Sequence, residues 1–135
     1  MASIVKRGEI WMVDSLNEER KGSVMRGFRP AVIISNDLAN ISGTICTVVP
    51  LTSNAAKGEQ STHVVISNEN NQLRCSSIAL CEQPTTVNKD QVRFCLGRVE
   101  REELKKIDRA LLVSMGICIR STKVIFISLT LISIF

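Results

Sequence analysis

Residues 27–37 read "GFRPAVIISND". Pro30 fixes its own φ and pushes Arg29 away from the helical region towards an extended backbone. The run Ala31-Val32-Ile33-Ile34 has the composition of a buried strand. Ser35-Asn36-Asp37 then supplies turn chemistry. An arginine is thus expected at the lip of a strand that heads into the core. The ordinary role of such a residue is a solvated or salt-bridged rim position; the alternative is contact with an anion.

Outward from this stretch, "EIWMV" at 9–13 reads as a strand, and residues 15–27 as a long polar connection, of the kind that carries function or moves. "NDLANISG" reads as a turn with one helical turn at most. "TICTVVPL" at 44–51 is a strand with Thr52 and Ser53 at its end, and "THVVIS" at 62–67 is a short strand. "NENNQLRC" at 68–75 is a turn region. "SSIALCEQPTTV" at 76–87 reads as one strand ended by Pro84, and "VRFCLGRV" as another short one. The period then changes. In 101–116, Leu104, Ile107, Leu111 and Met115 recur at helical spacing, with Glu102 and Glu103 in the first turn and Gly116 as the stop. Five or six short strands and one terminal helix predict a mainly β fold, a small barrel or sandwich.

The chain has 135 residues, 44% hydrophobic and 22% charged, which suits one domain with a core of its own. A formal net charge of +4 permits an anionic partner without requiring one. Five cysteines without CxxC spacing, and a single His63, supply few ligands for zinc. The cysteines read as small core residues in a reducing cytosol. No signal peptide is expected in "MASIVKRGEIW". "VIFISLTLISIF", which follows Lys123, is uncharged but shorter than a spanning helix. Its composition suits a strand or an aggregation-prone segment. The division expected is a domain over 1–117 and an apolar extension over 118–135, with no membrane partner.

No Gly-x-Ser-x-Gly, P-loop, GxGxxG or His-x-x-x-His occurs. One histidine excludes a two-histidine ribonuclease mechanism. Asp14, Asp37, Glu82 and Asp90 lack metal-ligand spacing. What remains is a set of polar residues at the ends of apolar strands: Arg29, Ser35, Asn36, Thr52, Ser53, Glu82 and Gln83. Taken singly, each reads as a rim, strand or turn residue. In a closed barrel several of these ends would share one rim.

Together, "VKRGEIWMVD", "GFRPAVIISND", "VVPLTS", "THVVI", "ALCEQPTTVNKDQV" and the terminal amphipathic helix resemble the MazF/PemK toxins of bacterial toxin-antitoxin systems, over residues 4 to about 117. The resemblance implies a small SH3-like (CcdB/PemK-like) barrel with a C-terminal helix, as a homodimer in the bacterial cytoplasm. It implies a sequence-specific endoribonuclease (an mRNA interferase) cutting single-stranded RNA without metal or other cofactor. The products would be a 2′,3′-cyclic phosphate or 3′-phosphate and a 5′-hydroxyl. Translation and growth would stop until an antitoxin neutralises the enzyme. Operator DNA would be met only through the antitoxin complex. Arg29 and Thr52 carry over as catalytic residues. Gln83, Glu82, Ser53, Asn36, Ser35, Phe28 and Arg26 carry over as substrate contacts, Arg26 within a 15–27 flap. A fixed guanidinium offers paired donors to a phosphate gaining charge, whereas its pKa makes it a poor acid or base. His63 reads as structural. The alternative is a small-barrel binding module without chemistry, for example one that binds gyrase.

Overall fold

The apolar runs around Val32 and Val49 become neighbouring central strands. The computed structural model describes residues 4–14, 28–54 and 60–118. Its strands are β1 (Glu9–Asp14), β2 (Phe28–Ile33), β3 (Ile45–Thr52), β4 (His63–Ile66), β5 (Ser77–Leu80), β6 (Thr85–Asn88) and β7 (Val92–Arg98). Helix α1 (Asp37–Ser42) follows β2, and α2 (Arg101–Ser114) follows β7. The strands pair antiparallel in the order β4-β5-β3-β2-β1-β7, with β6 also on β3. The fold is mainly β with a C-terminal helix, as the pattern implied. Among the described residues no helix is long and apolar enough to cross a membrane.

Three boundaries differ from the sequence reading. Segment 76–87 is two strands, β5 and β6, with a turn between them, because Pro84 and its neighbours break the ladder rather than merely ending it. Strand β2 starts at Phe28 and ends at Ile33, so Arg29 lies inside the strand, opposite Val13, rather than at its lip. Met115 does not join the buried face of α2; it is 59% exposed. The 15–27 connection, the 55–59 segment and the extension after Cys118 lie outside the described residues.

Strands β2 and β3 are apolar over 30–33 and 48–51 because both of their faces are covered there. Val32 and Val49 join one buried cluster with Ile10, Ile66, Leu96 and Ile107. Ala31, Ile33 and Val48 alternate into a second cluster with Val5, Val13 and Val87. Strands covered on both faces read as continuous hydrophobic runs. Pro50 marks the point at which β3 changes neighbours: residues 45–48 pair with β6, and Leu51 and Thr52 with β5. A residue without an N–H fits where one ladder ends and another begins.

Helix α2 covers the first cluster with Ile107 and Ala110, flanked by Leu104 and Leu111. Its first turn is closed by Glu100 N–H donating to Glu103 Oε1 at 2.8 Å, while Glu103 Oε2 accepts from Ser67 N–H at 2.7 Å. One carboxylate therefore caps the helix and ties it to the end of β4. The far end is a Schellman turn: Gly116, at φ +69°, donates to Val113 and Ile117 donates to Leu112. Arg7 crosses from the start of β1 to both helices. Its backbone N–H donates to Asp37 Oδ1, its Nε to the Ile34 carbonyl, and its guanidinium pairs with Asp108. The Arg7 N–H, with help from Asn40, holds the Asp37 carboxyl below its usual range.

Asn40 is the polar knot under α1. Its Oδ1 accepts from Ser35 Oγ at 2.6 Å, and its Nδ2 donates to the Ser35 carbonyl and to Asp37 Oδ1. The buried Lys89 ammonium donates to its backbone carbonyl. Asn40→Ala leaves the Ser35 pair unsatisfied and opens a small void. It should lower stability by about 1–3 kcal/mol with an unchanged denaturant slope, as measured by urea unfolding.

Candidate active site

The ladder between β2 and β3 runs from Ile33↔Val48 to Ala31↔Pro50. Arg29 and Thr52 lie two residues beyond that last pair, on adjacent strands and at the same level. With Pro50 redirecting β3 to β5, a cavity of about 580 Å³ opens at this place. Arg29, Thr52 and Ser53 line it on one side, with Leu51 and Pro30 beneath.

Arg29 is half-buried, and its Nε is buried without a hydrogen-bond partner among the described residues. A buried donor left unpaired costs about 1–3 kcal/mol. Arg29 is nonetheless held in place: Pro30 restricts its backbone, and it faces Val13 across the β1–β2 ladder. The cavity therefore presents a fixed cation with unused hydrogen-bonding capacity. Thr52 Oγ1 accepts from the Asn54 N–H at 3.2 Å, which orients the oxygen while its O–H remains a donor.

The opposite wall comes from a segment that the sequence reading left as a plain turn. Residues 67–76 are shaped by their asparagines: Asn71 Nδ2 donates to the Ser67 carbonyl at 2.7 Å, and Asn71 Oδ1 accepts from Leu73 N–H at 3.0 Å. Gln72 N–H donates to the Leu96 carbonyl at 2.8 Å. The loop lies so close to β7 that a Cβ at Gly97, φ +117°, would come within 3.0 Å of Asn71 Cβ. This brings Gln72, Arg74 and Cys75 to the cavity, where Phe94 of β7 meets Phe28 of β2 with ring centroids 6.3 Å apart. The signal available in the sequence was the asparagine spacing, which is loop-building chemistry; nothing in it located the wall that the loop builds.

Of the residues singled out from the sequence, Arg29, Thr52, Ser53 and Phe28 share the cavity. Ser35 and Asn36 do not line it. Asn36 Oδ1 caps α1 by accepting from Ala39 N–H at 2.9 Å, and Ser35 Oγ binds Asn40 and the Thr47 N–H. Glu82 and Gln83 sit in the exposed turn before β6 and do not line it either. Glu82 Oε2 accepts from Thr62 Oγ1 at 3.0 Å and lies 2.7 Å from His63 Nε2. Arg26 lies outside the described residues. His63 packs as read, its side chain 5% exposed.

The cysteines divide by position. Burial pushes the Cys46 thiol up and raises Cys81 to about 12, so both stay protonated as core residues. Cys75 and Cys118 are exposed. Among the described residues no three His, Cys, Asp or Glu side chains group as metal ligands.

Comparison with known proteins agrees with this architecture. The family of PemK-like, MazF-like toxins of type II toxin-antitoxin systems matches residues 6–115. Endoribonuclease MazF9 of Mycobacterium tuberculosis is 37% identical over 113 residues, which cover 80% of this chain and 93% of that protein. A mycobacterial endoribonuclease in complex with its cognate antitoxin superposes with a TM-score of 0.68 at 23% identity, over 85% of this chain and 98% of that one. MazF from Deinococcus radiodurans does so with a TM-score of 0.68 at 18% identity, over 85% and 99%. The chain belongs to the PemK-like, MazF-like toxin family of type II toxin-antitoxin systems.

Proposed function

We propose that this toxin is an endoribonuclease that cuts single-stranded RNA in its Arg29–Thr52 cavity, and that a cognate antitoxin restrains it. The observation that carries the reading is the half-buried guanidinium of Arg29, its Nε unpaired among the described residues, at the level of Thr52 in an open cavity. In the proposed step a ribose 2′-oxygen attacks the adjacent phosphorus. The O2′–P bond forms, the P–O5′ bond breaks, the 2′-hydroxyl loses its proton and the leaving 5′-oxygen gains one. The products are a 2′,3′-cyclic phosphate and a 5′-hydroxyl. Arg29 stabilises the charge that builds on the phosphate oxygens, which a rigid cation in a partly dry site does best. Thr52 adds a neutral hydrogen bond, and Ser53 and Phe28 contact the RNA beside it.

We propose further that this toxin acts in the bacterial cytoplasm as a homodimer and meets operator DNA only through its antitoxin. The outer face of α1 supports a self-contact: Leu38 and Ile41, one helical turn apart, are 83% and 76% exposed, and Ile45 just beyond is 50% exposed. We take these exposed apolar side chains as the contact of the proposed dimer. Sedimentation velocity should return a dimer for the wild type and a monomer for the Leu38→Asp, Ile41→Asp double variant. A monomeric wild type would refute the arrangement.

Cleavage is tested on a long defined RNA in excess EDTA, with new 5′ ends mapped. Wild-type protein should cut at one short motif. Arg29→Ala should lose about 100- to 1000-fold in kcat, and Thr52→Val about tenfold. A folded wild type that leaves RNA intact would turn the reading towards a binding module.

Stability gives a second test of Arg29. If the guanidinium is held for function and not for the fold, Arg29→Met fills the same space without an orphaned donor. It should unfold at the same urea concentration or a higher one, gaining up to about 1 kcal/mol, while losing cleavage.

A further inference from the structure

The described residues include three aromatic side chains, Trp11, Phe28 and Phe94, and two of them stand at the cavity mouth. Phe28 is 49% exposed and Phe94 50% exposed. Their rings are 6.3 Å apart and tilted by 47°. They arise from strands on either side of β1: Phe94 faces Met12 across the β1–β7 ladder, and Phe28 faces Asp14 across the β1–β2 ladder. Phe28 is also the immediate chain neighbour of Arg29, so one rigid strand carries both the aromatic and the cation.

Half-exposed phenylalanines gain less for the free protein than buried ones, since about half of each side chain stays in water. They fit a ligand that brings a flat apolar face together with a negative charge. A nucleotide of single-stranded RNA has both, and proteins that bind such strands pair a cationic groove with aromatic platforms. The 47° tilt excludes a parallel sandwich between the rings, so the base rests on the outward face of one ring while the other braces it.

We infer that Phe94, braced by Phe28, is a base-stacking platform that positions one nucleotide next to the phosphate held by Arg29. Phe94 is then a positioning and specificity residue drawn from β7, which none of the recognisable strand-end motifs includes. The inference rests on the RNA-cutting reading above and assigns it a base subsite.

The probe is a single-stranded RNA oligonucleotide spanning the mapped cut site, with a 2′-deoxyribose at the cleaved residue so that it binds without reacting. A single abasic nucleotide is moved along it, and Kd is measured for wild type, Phe94→Ala, Phe94→Leu and Phe94→Tyr. The wild type should lose about tenfold at one position next to the cut. That penalty should shrink to under about twofold in Phe94→Ala and Phe94→Leu, and persist in Phe94→Tyr. Thermal midpoints should stay together, because the ring is half-exposed. A penalty that is the same in wild type and Phe94→Ala at every position overturns the platform, as does wild-type binding by Phe94→Leu. In either case cleavage by wild type leaves the ribonuclease reading standing. A wild type that neither binds nor cuts RNA overturns both.

Discussion

The structure depends on the double-sided burial of β2 and β3 up to the pair Ala31↔Pro50. Each fully buried valine, leucine or isoleucine contributes about 1.5–3 kcal/mol, and Val32, Ile33, Val48, Val49 and Leu51 stand side by side. Against that total, an N–H on Arg29 unpaired among the described residues costs about 1–3 kcal/mol. The core therefore wins, and it fixes a guanidinium in a position that the guanidinium itself would not favour. Proline is part of the same device. Pro30 restricts Arg29 next to it, and Pro50 turns β3 from β6 to β5, so the strands part where the catalytic pair is proposed.

A second, polar framework holds the opposite end of β2. Ser35, Asn36 and Asn40 are spent on starting α1 and anchoring it, and buried Lys89 reaches into the same knot. Serine and asparagine after a strand favour this local use, because their short side chains bond neighbouring backbone groups. That is the physical reason why Ser35 and Asn36 do not line the cavity, although both follow the same strand as Arg29. The direction of the chain decides it: Arg29 and Ser35 lie at opposite ends of one run.

The fold was legible wherever a period was long enough to read. Leu104, Ile107 and Leu111 announced α2, Gly116 its stop, and the unbroken runs at 31–34 and 48–51 the doubly covered strands. Less legible were the boundaries set by hydrogen bonds. Pro84 splits β5 from β6, and β2 ends at Ile33, one residue before the apolar run does, where Ile34 and Ser35 both donate to the Thr47 carbonyl. At the site, the family resemblance paired Arg29 with Thr52, and the ladder register puts them level. The far wall was not legible. Gln72 and Arg74 meet the cavity because Asn71 shapes a loop that Gly97 admits, and Phe94 meets it because β7 pairs with β1.

Two departures from ordinary folding economy fall on the same cavity: a buried donor without a partner among the described residues and a pair of phenylalanines left half in water. Either alone has a bland explanation, since rim arginines and scattered surface aromatics are common. Their joint location is harder to explain by packing, because no stabilising contact needs both. Natural sequences agree across levels elsewhere and break the rules mainly where function demands it. Here the rules hold at the caps of α2, the knot of Asn40 and the two apolar clusters, and they break at one cavity. That cavity offers a cation and a flat apolar surface together, the two features that a nucleotide matches at once.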